Sequence, residues 1–295
     1  MPTIGDALYQ SSRRLLDAGI DTGSLEASLL LGRATGFDRL GLITRTGDDL
    51  PGDAWEAFEQ LMSRRLKREP LQYILGETEF MGLVFGVTPA VLIPRSDTET
   101  LIEAILDLEE ERGATEAISV ADIGTGSGAI AVALAKHLPY MHVIATDLSP
   151  EALAVARVNA ARHEVESQID FRLGDGLAPL TAPVHYLVSN PPYIGQGELA
   201  GLEPEVRDFE PVLALSPGAD PLKWYRVFAT DGAALVLPGG HLAVEVGAGR
   251  RMTSRTCSTP RRSGKRSSCA RTSGRSTGWC WRDGRNSPWS LVPGP

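Results

Sequence analysis

An alternation of apolar runs with helical segments is the feature that most constrains the fold of this 295-residue chain. Apolar runs rich in β-branched residues predict five buried strands, at residues 118–123, 142–147, 169–173, 184–188 and 242–246. The segments between them carry helix signals, such as the Ala- and Val-rich stretch 129–138 and the pair Ser149-Pro150 at a helix start. Strands that alternate with helices predict an α/β fold built on a doubly wound parallel sheet.

The sequence Asn190-Pro191-Pro192-Tyr193 directly follows the fourth predicted strand. Its two prolines fix φ twice and remove two backbone donors, so the chain can continue neither as a strand nor as a helix. Asn-Pro is also a common opening for a simple turn. A tyrosine directly after Asn-Pro-Pro, at the carboxyl end of a buried strand, favours a binding site instead, because ligands of open α/β sheets bind at such ends.

The groups of this motif suit one kind of chemistry. A planar amide or aromatic amine is a poor nucleophile because its lone pair is delocalised. The Asn190 side-chain oxygen and a neighbouring backbone carbonyl can accept both N–H bonds of such a nitrogen, while Tyr193 stacks on the planar group. No general base is needed beforehand, because the nitrogen becomes acidic once it is alkylated. The motif therefore predicts group transfer to a planar NH₂, with Asn190 and Tyr193 as catalytic residues and all of Asn190, Pro191, Pro192 and Tyr193 as substrate-binding residues.

A glycine-rich turn follows the first predicted strand, and an acid ends the second. The turn is Gly124-Thr125-Gly126-Ser127-Gly128, whose glycines let the backbone bend tightly beneath a ligand. Asp147 stands where a carboxylate can accept both ribose hydroxyls of a nucleoside. A hydride-transfer enzyme explains this pattern equally well, since it satisfies the loose dinucleotide fingerprint. The order of the motifs separates the two readings, because a pyridine-nucleotide enzyme has no use for the Asn-Pro-Pro-Tyr motif.

The sequence before the first predicted strand of the sheet predicts a helical domain and a short connection. Leucines at helical spacing predict a small helical domain at residues 1–78, and residues 79–94 predict a linking hairpin with strands at 80–85 and 91–93. Ser96 and Glu99 are spaced as a capping box at the start of the main domain, residues 95–249. Arg95 beside them is either a solvated charge or a group that orients the substrate.

Charge divides the chain into two unequal parts. Residues 250–295 hold eleven Lys and Arg against one acidic residue, a net charge of +10, which leaves −18 on residues 1–249. The acidic part argues against direct binding to a nucleic-acid backbone. The three cysteines all fall in the basic tail at a spacing that matches no zinc pattern. The chain also lacks an apolar run of membrane-spanning length and a signal-peptide pattern at its start, so we expect no membrane partner and a cytoplasmic location.

With these motifs in view, the chain closely resembles the protein-(glutamine-N5) methyltransferases that act on class I peptide-chain release factors. The resemblance runs from about residue 4 to residue 249. It is specific as a set of stretches: Glu69-Pro70-Leu71-Gln72-Tyr73-Ile74-Leu75-Gly76, Val91-Leu92-Ile93-Pro94-Arg95, Asp122-Ile123-Gly124-Thr125-Gly126-Ser127-Gly128, Asn190-Pro191-Pro192-Tyr193-Ile194, Glu205-Val206-Arg207-Asp208-Phe209-Glu210-Pro211 and Leu237-Pro238-Gly239-Gly240.

This resemblance implies a fold, a cofactor and a substrate. It implies a Rossmann-like class I methyltransferase domain at residues 95–249, preceded by a helical substrate-recognition domain. S-adenosyl-L-methionine is expected over Gly124, Thr125, Gly126, Ser127 and Gly128, with its ribose on Asp147 and its reactive end near Asn190. Residues 190–193 are expected to hold the side-chain amide of a glutamine in a Gly-Gly-Gln loop of the release factor.

The chain departs from the family pattern at three places. Ser96 stands where the family usually has Pro, and Gly176 lacks the large side chain that some relatives place near the adenine. The third departure is larger, because the family continues after residue 249 with a helix and two closing strands, whereas residues 250–295 show no period of either kind. We therefore predict that the tail is frame-shifted or disordered, and a natural basic arm is the alternative. An unpaired edge on the fifth strand, poor stability and weak or no activity are expected to follow.

Two other functions fit parts of the sequence. A nucleic-acid exocyclic-amine methyltransferase can use the same Asn-Pro-Pro-Tyr motif, because the exocyclic amine is also planar. The acidic domain and the absence of a basic recognition domain count against it. An inactive remnant that binds S-adenosyl-L-methionine without methyl transfer is the other alternative, and cofactor binding without turnover would identify it.

Overall fold

The computed structural model describes residues 1–113, 116–247, 278–283 and 290–293, the last two ranges by their backbone alone. In these ranges the helices are α1 (Ile4–Asp17), α2 (Gly23–Thr35), α3 (Arg39–Thr44), α4 (Gly52–Leu66), α5 (Leu71–Leu75), α6 (Ser96–Arg112), α7 (Ala129–His137), α8 (Pro150–Arg162), α9 (Pro204–Phe209), α10 (Val212–Leu215) and α11 (Lys223–Val227). The strands are β1 (Glu77–Phe80), β2 (Leu83–Gly86), β3 (Ile118–Ile123), β4 (Met141–Asp147), β5 (Ile169–Leu173), β6 (Val184–Ser189), β7 (Val236–Val246), β8 (Gly278–Asp283) and β9 (Ser290–Pro293).

The chain divides into two compact units. Residues 1–77 together with 203–209 form a helical unit, and residues 78–202 together with the described residues from 210 onward form an α/β unit. The segment 203–209, which is α9, therefore belongs to the helical unit although it lies far along the chain. The predicted domain boundaries at residues 78, 94 and 249 stay predictions. None of the helices in the described ranges combines the length and the apolar character needed to cross a bilayer.

The helical unit is held by an apolar core and one buried ion-pair cluster. Leu15, Leu30 and Phe58, from α1, α2 and α4, are fully buried in that core. The guanidinium group of Arg65 lies 2.5 Å from the carboxylate of Glu26 and 2.9 Å from that of Glu205 on α9. Because a buried charge without a partner is costly, these pairs fix where α9 joins the unit.

The α/β unit contains a seven-stranded sheet in the order β5-β4-β3-β6-β7-β8-β9. The first five strands in this order are parallel, and β8 and β9 are antiparallel. The predicted α/β fold with a parallel sheet is confirmed, and all five predicted strands are present. Buried side chains cover both faces of the sheet, as parallel strands require. The order of connection reverses between β3 and β6, and at such a point a crevice opens at the carboxyl ends of the strands.

The linking segment differs from the prediction, because a turn at Met81 and Gly82 interrupts the single strand expected at residues 80–85. β1 and β2 form a hairpin, with positive φ at Met81 (52°) and Gly82 (69°) in its turn. Residues 91–93 were expected to form a second strand, but they are irregular although Val91 and Ile93 are buried. Proline residues flank this run on both sides, and each removes a backbone donor that a strand would use.

The predicted capping box at the start of α6 is also wrong. The N-cap residue is Arg95, and no side chain makes a capping hydrogen bond there. Ser96 is already inside the helix, so its hydroxyl group does not stand at the N-cap position. The Glu99 carboxylate instead accepts a hydrogen bond from the backbone N–H of Met81, at 2.7 Å. Glu99 thus ties the hairpin turn to α6.

The edge of the fifth parallel strand is paired, so the expected unpaired edge is wrong, and the poor stability and weak activity expected from it lose their basis. β8 runs antiparallel to β7, with Cys280 opposite Val244 and Trp281 opposite Ala243. The segment 278–283 contains two tryptophans, and aromatic residues favour strands even in a tail with no clear period. The predicted disorder of residues 250–277, 284–289 and 294–295 lies outside the described residues.

Candidate active site

A cavity of about 620 Å³ opens at the carboxyl ends of β3, β4 and β6. This volume lies within the range of ligand sites, about 300–1,000 Å³. Its wall combines the glycine-rich turn, the acid after β4, the motif after β6 and part of the segment 211–228. The lining residues that matter below are Arg95, Thr98, Gly124, Thr125, Gly126, Ser127, Asp147, Gly176, Asn190, Pro191, Pro192, Trp224 and Phe228.

The glycine-rich turn faces the cavity through backbone rather than side chains. Gly124 and Gly126 have φ of 74° and 56°, and no heavy atom lies within 4 Å of the point where a Cβ would stand. Gly128 differs, because a Cβ there would lie 3.1 Å from the Cβ of Ala156 on α8. Gly128 is not among the lining residues, and its place is the close contact between α7 and α8. Four of the five predicted turn residues therefore line the cavity.

The Asp147 carboxylate is held by two backbone donors. Its Oδ2 accepts from the N–H of Gly126 and its Oδ1 from the N–H of Ser149, both at 2.9 Å. These two bonds fix the plane of the carboxylate at the end of β4. Each carboxylate oxygen can accept a further hydrogen bond. The lining side chain therefore keeps acceptor capacity for hydroxyl groups of a ligand.

A second carboxyl group supports the turn from below. Asp122 is fully buried, and its Oδ2 accepts a hydrogen bond of 2.6 Å from the Thr125 hydroxyl. Burial raises the pKa of Asp122 to about 7, and the hydrogen bond from Thr125 opposes this rise. Its Oδ1 has no hydrogen-bond partner among the described residues. Asp122 thus holds the side chain of Thr125 beneath the turn that lines the cavity.

Asn190 lies at the other end of the cavity and is joined to two residues that sequence reasoning missed. Its Nδ2 donates to the Thr98 hydroxyl at 3.0 Å. The Thr98 hydroxyl in turn donates to Oε2 of Glu245 at 2.6 Å. The amide nitrogen of Asn190 is therefore engaged, and its amide oxygen is the group that can accept from a ligand. Thr98 and Glu245 carry no local sequence signal, since the contacts span 92 and 147 positions of the chain.

The rest of the Asn-Pro-Pro-Tyr motif divides between the cavity and the core. Pro191 and Pro192 line the cavity. Tyr193 is not among the lining residues; its ring fills the space beside Gly247, where a Cβ would lie 2.5 Å from the ring. The Tyr193 hydroxyl donates a hydrogen bond to the Glu245 carboxylate. The stacking role of Tyr193 stays a prediction, and the position of the ring does not support it.

Arg95 lies in the cavity wall and pairs with a buried acid. Its guanidinium group is 2.5 Å from the carboxylate of Glu210, whose side chain is 1% exposed. Burial raises the pKa of Glu210, and the charge of Arg95 opposes the rise. Of the two alternatives for Arg95, a solvated charge and a group in the site, the geometry favours the second.

Trp224 is a further lining residue that the sequence analysis did not select. Its ring lies directly against Gly176, since a Cβ at Gly176 would be 2.5 Å from Cζ3 of the indole. Phe228, whose ring centroid is 5.9 Å from that of Trp224, stacks behind it. The missing side chain at Gly176 was noted from the sequence, but the aromatic ring that occupies its place comes from a position 48 residues later.

Comparison with known proteins first defines the class of this chain. Residues 98–201 match the family described as "Methyltransferase small domain", and residues 6–76 match "PrmC N-terminal domain". The cavity at the end of a parallel sheet is therefore that of a methyltransferase domain.

Curated relatives define the family. The release factor glutamine methyltransferase of Moorella thermoacetica is 46% identical over 246 residues, which cover 83% of this chain and 86% of the relative. That of Geobacter sulfurreducens is 44% identical over 256 residues, covering 85% of this chain and 86% of the relative. That of Cereibacter sphaeroides is 46% identical, covering 82% and 85%. The chain belongs to the release factor glutamine methyltransferase family, and the family predicted from the sequence is confirmed.

Proposed function

We propose that this chain methylates the side-chain amide nitrogen of the glutamine in the Gly-Gly-Gln loop of class I peptide-chain release factors, with S-adenosyl-L-methionine as the methyl donor. One observation carries the proposal beyond family membership. A single cavity joins the glycine-rich turn to the amide oxygen of Asn190, so one site has surfaces for a nucleoside and for a planar NH₂ group.

The residues present fit S-adenosyl-L-methionine. The open space over Gly124 and Gly126 is space that any Cβ would reduce. The Asp147 carboxylate has acceptor capacity for ribose hydroxyls, and we expect the adenine beside the indole of Trp224, which lines the same cavity. When bound, the cofactor supplies a methyl group on a positively charged sulfur. Gly128 contributes through helix packing rather than through contact with the cofactor.

Asn190 performs the orienting role in this mechanism. Its Oδ1 accepts one N–H of the substrate amide, and a neighbouring backbone carbonyl accepts the other, which directs the nitrogen lone pair toward the methyl donor. The same dipoles stabilise positive charge that develops on the nitrogen. The proton leaves to water after transfer, because an alkylated amide nitrogen is acidic. Pro191 and Pro192 keep the backbone of the motif fixed during this process.

The nucleic-acid alternative is disfavoured by charge. Residues 1–249 carry a net charge of −18, whereas binding to a phosphate backbone depends on neutralisation by Lys and Arg. The recognition of the release factor by residues 1–78 and a cytoplasmic location remain parts of the proposal that follow from the family.

Incubation of the full-length protein with a release factor and methyl-labelled S-adenosyl-L-methionine tests the proposal. We expect label on the glutamine of the Gly-Gly-Gln loop, mapped by mass spectrometry, and no label on a release factor whose loop glutamine is replaced by alanine. Label in RNA or DNA, with none in the release factor, would overturn the proposal. Calorimetric binding of the cofactor without any transfer would identify the inactive remnant instead.

A further inference from the structure

Three side chains from separate parts of the chain, Asn190, Thr98 and Glu245, form a continuous hydrogen-bonded series beside the cavity. Glu245 on β7 and Thr98 on α6 are buried, with 1% and 4% of their surface exposed. The series runs from Nδ2 of Asn190 to the Thr98 hydroxyl at 3.0 Å, and from that hydroxyl to Glu245 at 2.6 Å. The Tyr193 hydroxyl donates to the same carboxylate.

The ionised carboxylate of Glu245 determines which group donates and which accepts in each hydrogen bond of this series. A carboxylate can only accept, so the Thr98 proton must point to Glu245. The lone pairs of the Thr98 oxygen are then left to accept, and Asn190 can meet them only with its NH₂ group. An amide has its oxygen on the opposite side from its nitrogen. The amide oxygen of Asn190 is thereby turned toward the cavity.

We propose that Glu245 and Thr98 are positioning residues that hold the Asn190 amide in the one orientation that accepts from the substrate. This rests on the proposed function, since the orientation matters only if a planar NH₂ group enters the cavity. In the flipped orientation, Asn190 would present its own N–H groups to the N–H groups of the substrate. Two donors facing each other leave both without an acceptor and misdirect the nucleophile.

The protonation state of Glu245 makes the orientation of the Asn190 amide sensitive to pH. Burial raises the pKa of Glu245 to about 7, against the hydrogen bonds from Thr98 and Tyr193 that lower it. The charged groups that act on it from α6 are Asp97, which raises the pKa, and Arg95, which lowers it. From α11, the Tyr225 hydroxyl donates to the backbone carbonyl of Glu245 at 3.2 Å.

The sign of the pH effect follows from the polarity of the series. A protonated Glu245 can donate to Thr98, and Thr98 can then donate to the oxygen of Asn190, which permits the flipped orientation. The methyl-transfer rate should therefore rise with pH as Glu245 ionises. With a pKa near 7, the rise between pH 6 and pH 8 is about tenfold.

Thr98→Val and Thr98→Ser in the full-length protein form the matched pair for the test. Valine keeps the shape of threonine and removes the hydroxyl group, whereas serine keeps the hydroxyl group. Single-turnover rates with enzyme in excess over release factor should fall about 10- to 100-fold for Thr98→Val and stay within about threefold for Thr98→Ser. The dissociation constant for S-adenosyl-L-methionine, measured by calorimetry, should stay within about twofold for both.

Glu245→Gln tests the carboxylate itself. Glutamine can accept or donate, so the polarity is no longer set, and we expect about a tenfold lower rate and no rise between pH 6 and pH 8. Glu109→Gln is the control, because Glu109 is also a buried carboxylate and it does not line the cavity. Its Oε1 accepts a hydrogen bond of 2.5 Å from the Tyr186 hydroxyl. It should retain the wild-type rate and its pH dependence.

The outcomes separate this proposal from the proposed function. A wild-type protein that transfers no methyl group to the glutamine overturns the proposed function itself. A wild-type protein that does so, with Thr98→Val equally fast or Glu245→Gln still showing the pH rise, overturns the positioning role alone. Should Thr98→Val fail to fold, as judged by lost cofactor binding, the pH profile of Glu245→Gln against Glu109→Gln decides.

Discussion

The two ends of the cavity are built by different means. At the glycine end, the turn and the two carboxylates that hold it lie close in sequence, from Asp122 to Asp147, and only the indole of Trp224 comes from a distant position. At the Asn190 end, side chains from α6, β7 and the loop after β6 make the surface, across separations of 92 and 147 positions. A short stretch of sequence can therefore hold most of one end, whereas the other end depends on contacts across the whole sheet. Four predictions test whether the two ends also act separately.

The largest expected effect belongs to Asn190→Ala. It removes the acceptor that orients the nucleophile, so the methyl-transfer rate should fall by about a hundredfold or more. Cofactor affinity should change little, because the glycine end is untouched. Single-turnover kinetics and calorimetry together measure the two effects. An Asn190→Ala protein that loses cofactor binding as strongly as rate would mean that the two ends are not separate.

Asp147→Ala should do the reverse. The change removes a carboxylate whose oxygens can accept ribose hydroxyls and frees the N–H groups of Gly126 and Ser149. We expect cofactor affinity about 10- to 100-fold weaker, with a much smaller loss of rate at saturating cofactor. Asp147→Asn keeps the shape of the side chain and is the matched variant. Its cofactor affinity should lie between those of the wild-type protein and Asp147→Ala. If calorimetry showed Asn190→Ala and Asp147→Ala binding cofactor equally well, the assigned roles would be wrong.

Trp224→Ala should have a smaller effect at the same end. The indole fills the space above Gly176 and offers a stacking face, and loss of such a face weakens binding of a base by about tenfold. Trp224→Phe should recover most of the affinity because it restores an aromatic ring. Equilibrium binding of S-adenosyl-L-methionine measures both variants. Unchanged affinity in the alanine variant would place the adenine elsewhere in the cavity.

The comparison also explains how far the sequence could predict this protein. The βα alternation predicted five strands correctly, and the turn at 124–128 and the motif at 190–193 both flank the cavity. The wrong predictions have different causes. Prolines flank the strand expected at residues 91–93, whereas in other cases the relevant partner is distant in sequence. Glu99 bonds the hairpin turn instead of capping α6, and the contacts of Asn190 with Thr98 and of Thr98 with Glu245 span 92 and 147 positions. No local pattern of residue types encodes such partners.

The last prediction concerns the tail, and the genetic code gives it a basis. Residues 278–281, Gly-Trp-Cys-Trp, require the bases GGN-TGG-TGY-TGG. Read two bases later, the same DNA gives NTG-GTG-YTG. Whatever the variable bases are, this encodes Met, Leu or Val, then Val, then Leu. An unusual Trp-Cys-Trp sequence thus overlies an apolar strand in another frame, at the segment that pairs with β7.

We therefore expect that the coding DNA read in that frame continues past residue 249 with a helix and closing strands of the family. Because β8 already covers the edge of β7, the stability effect is small, and Val and Leu opposite Val244 and Ala243 add about 1 kcal/mol of packing. A chain carrying the alternative tail should melt about 2–4 °C higher. The methyl-transfer rate, which depends on the Asn190 end, should rise with the alternative tail, since Glu245 lies on β7. Cofactor affinity, which depends on the glycine end, should not change. No family-like continuation in the other frames would contradict the frame shift and favour a natural basic arm, whereas an equal melting temperature would contradict the packing estimate alone.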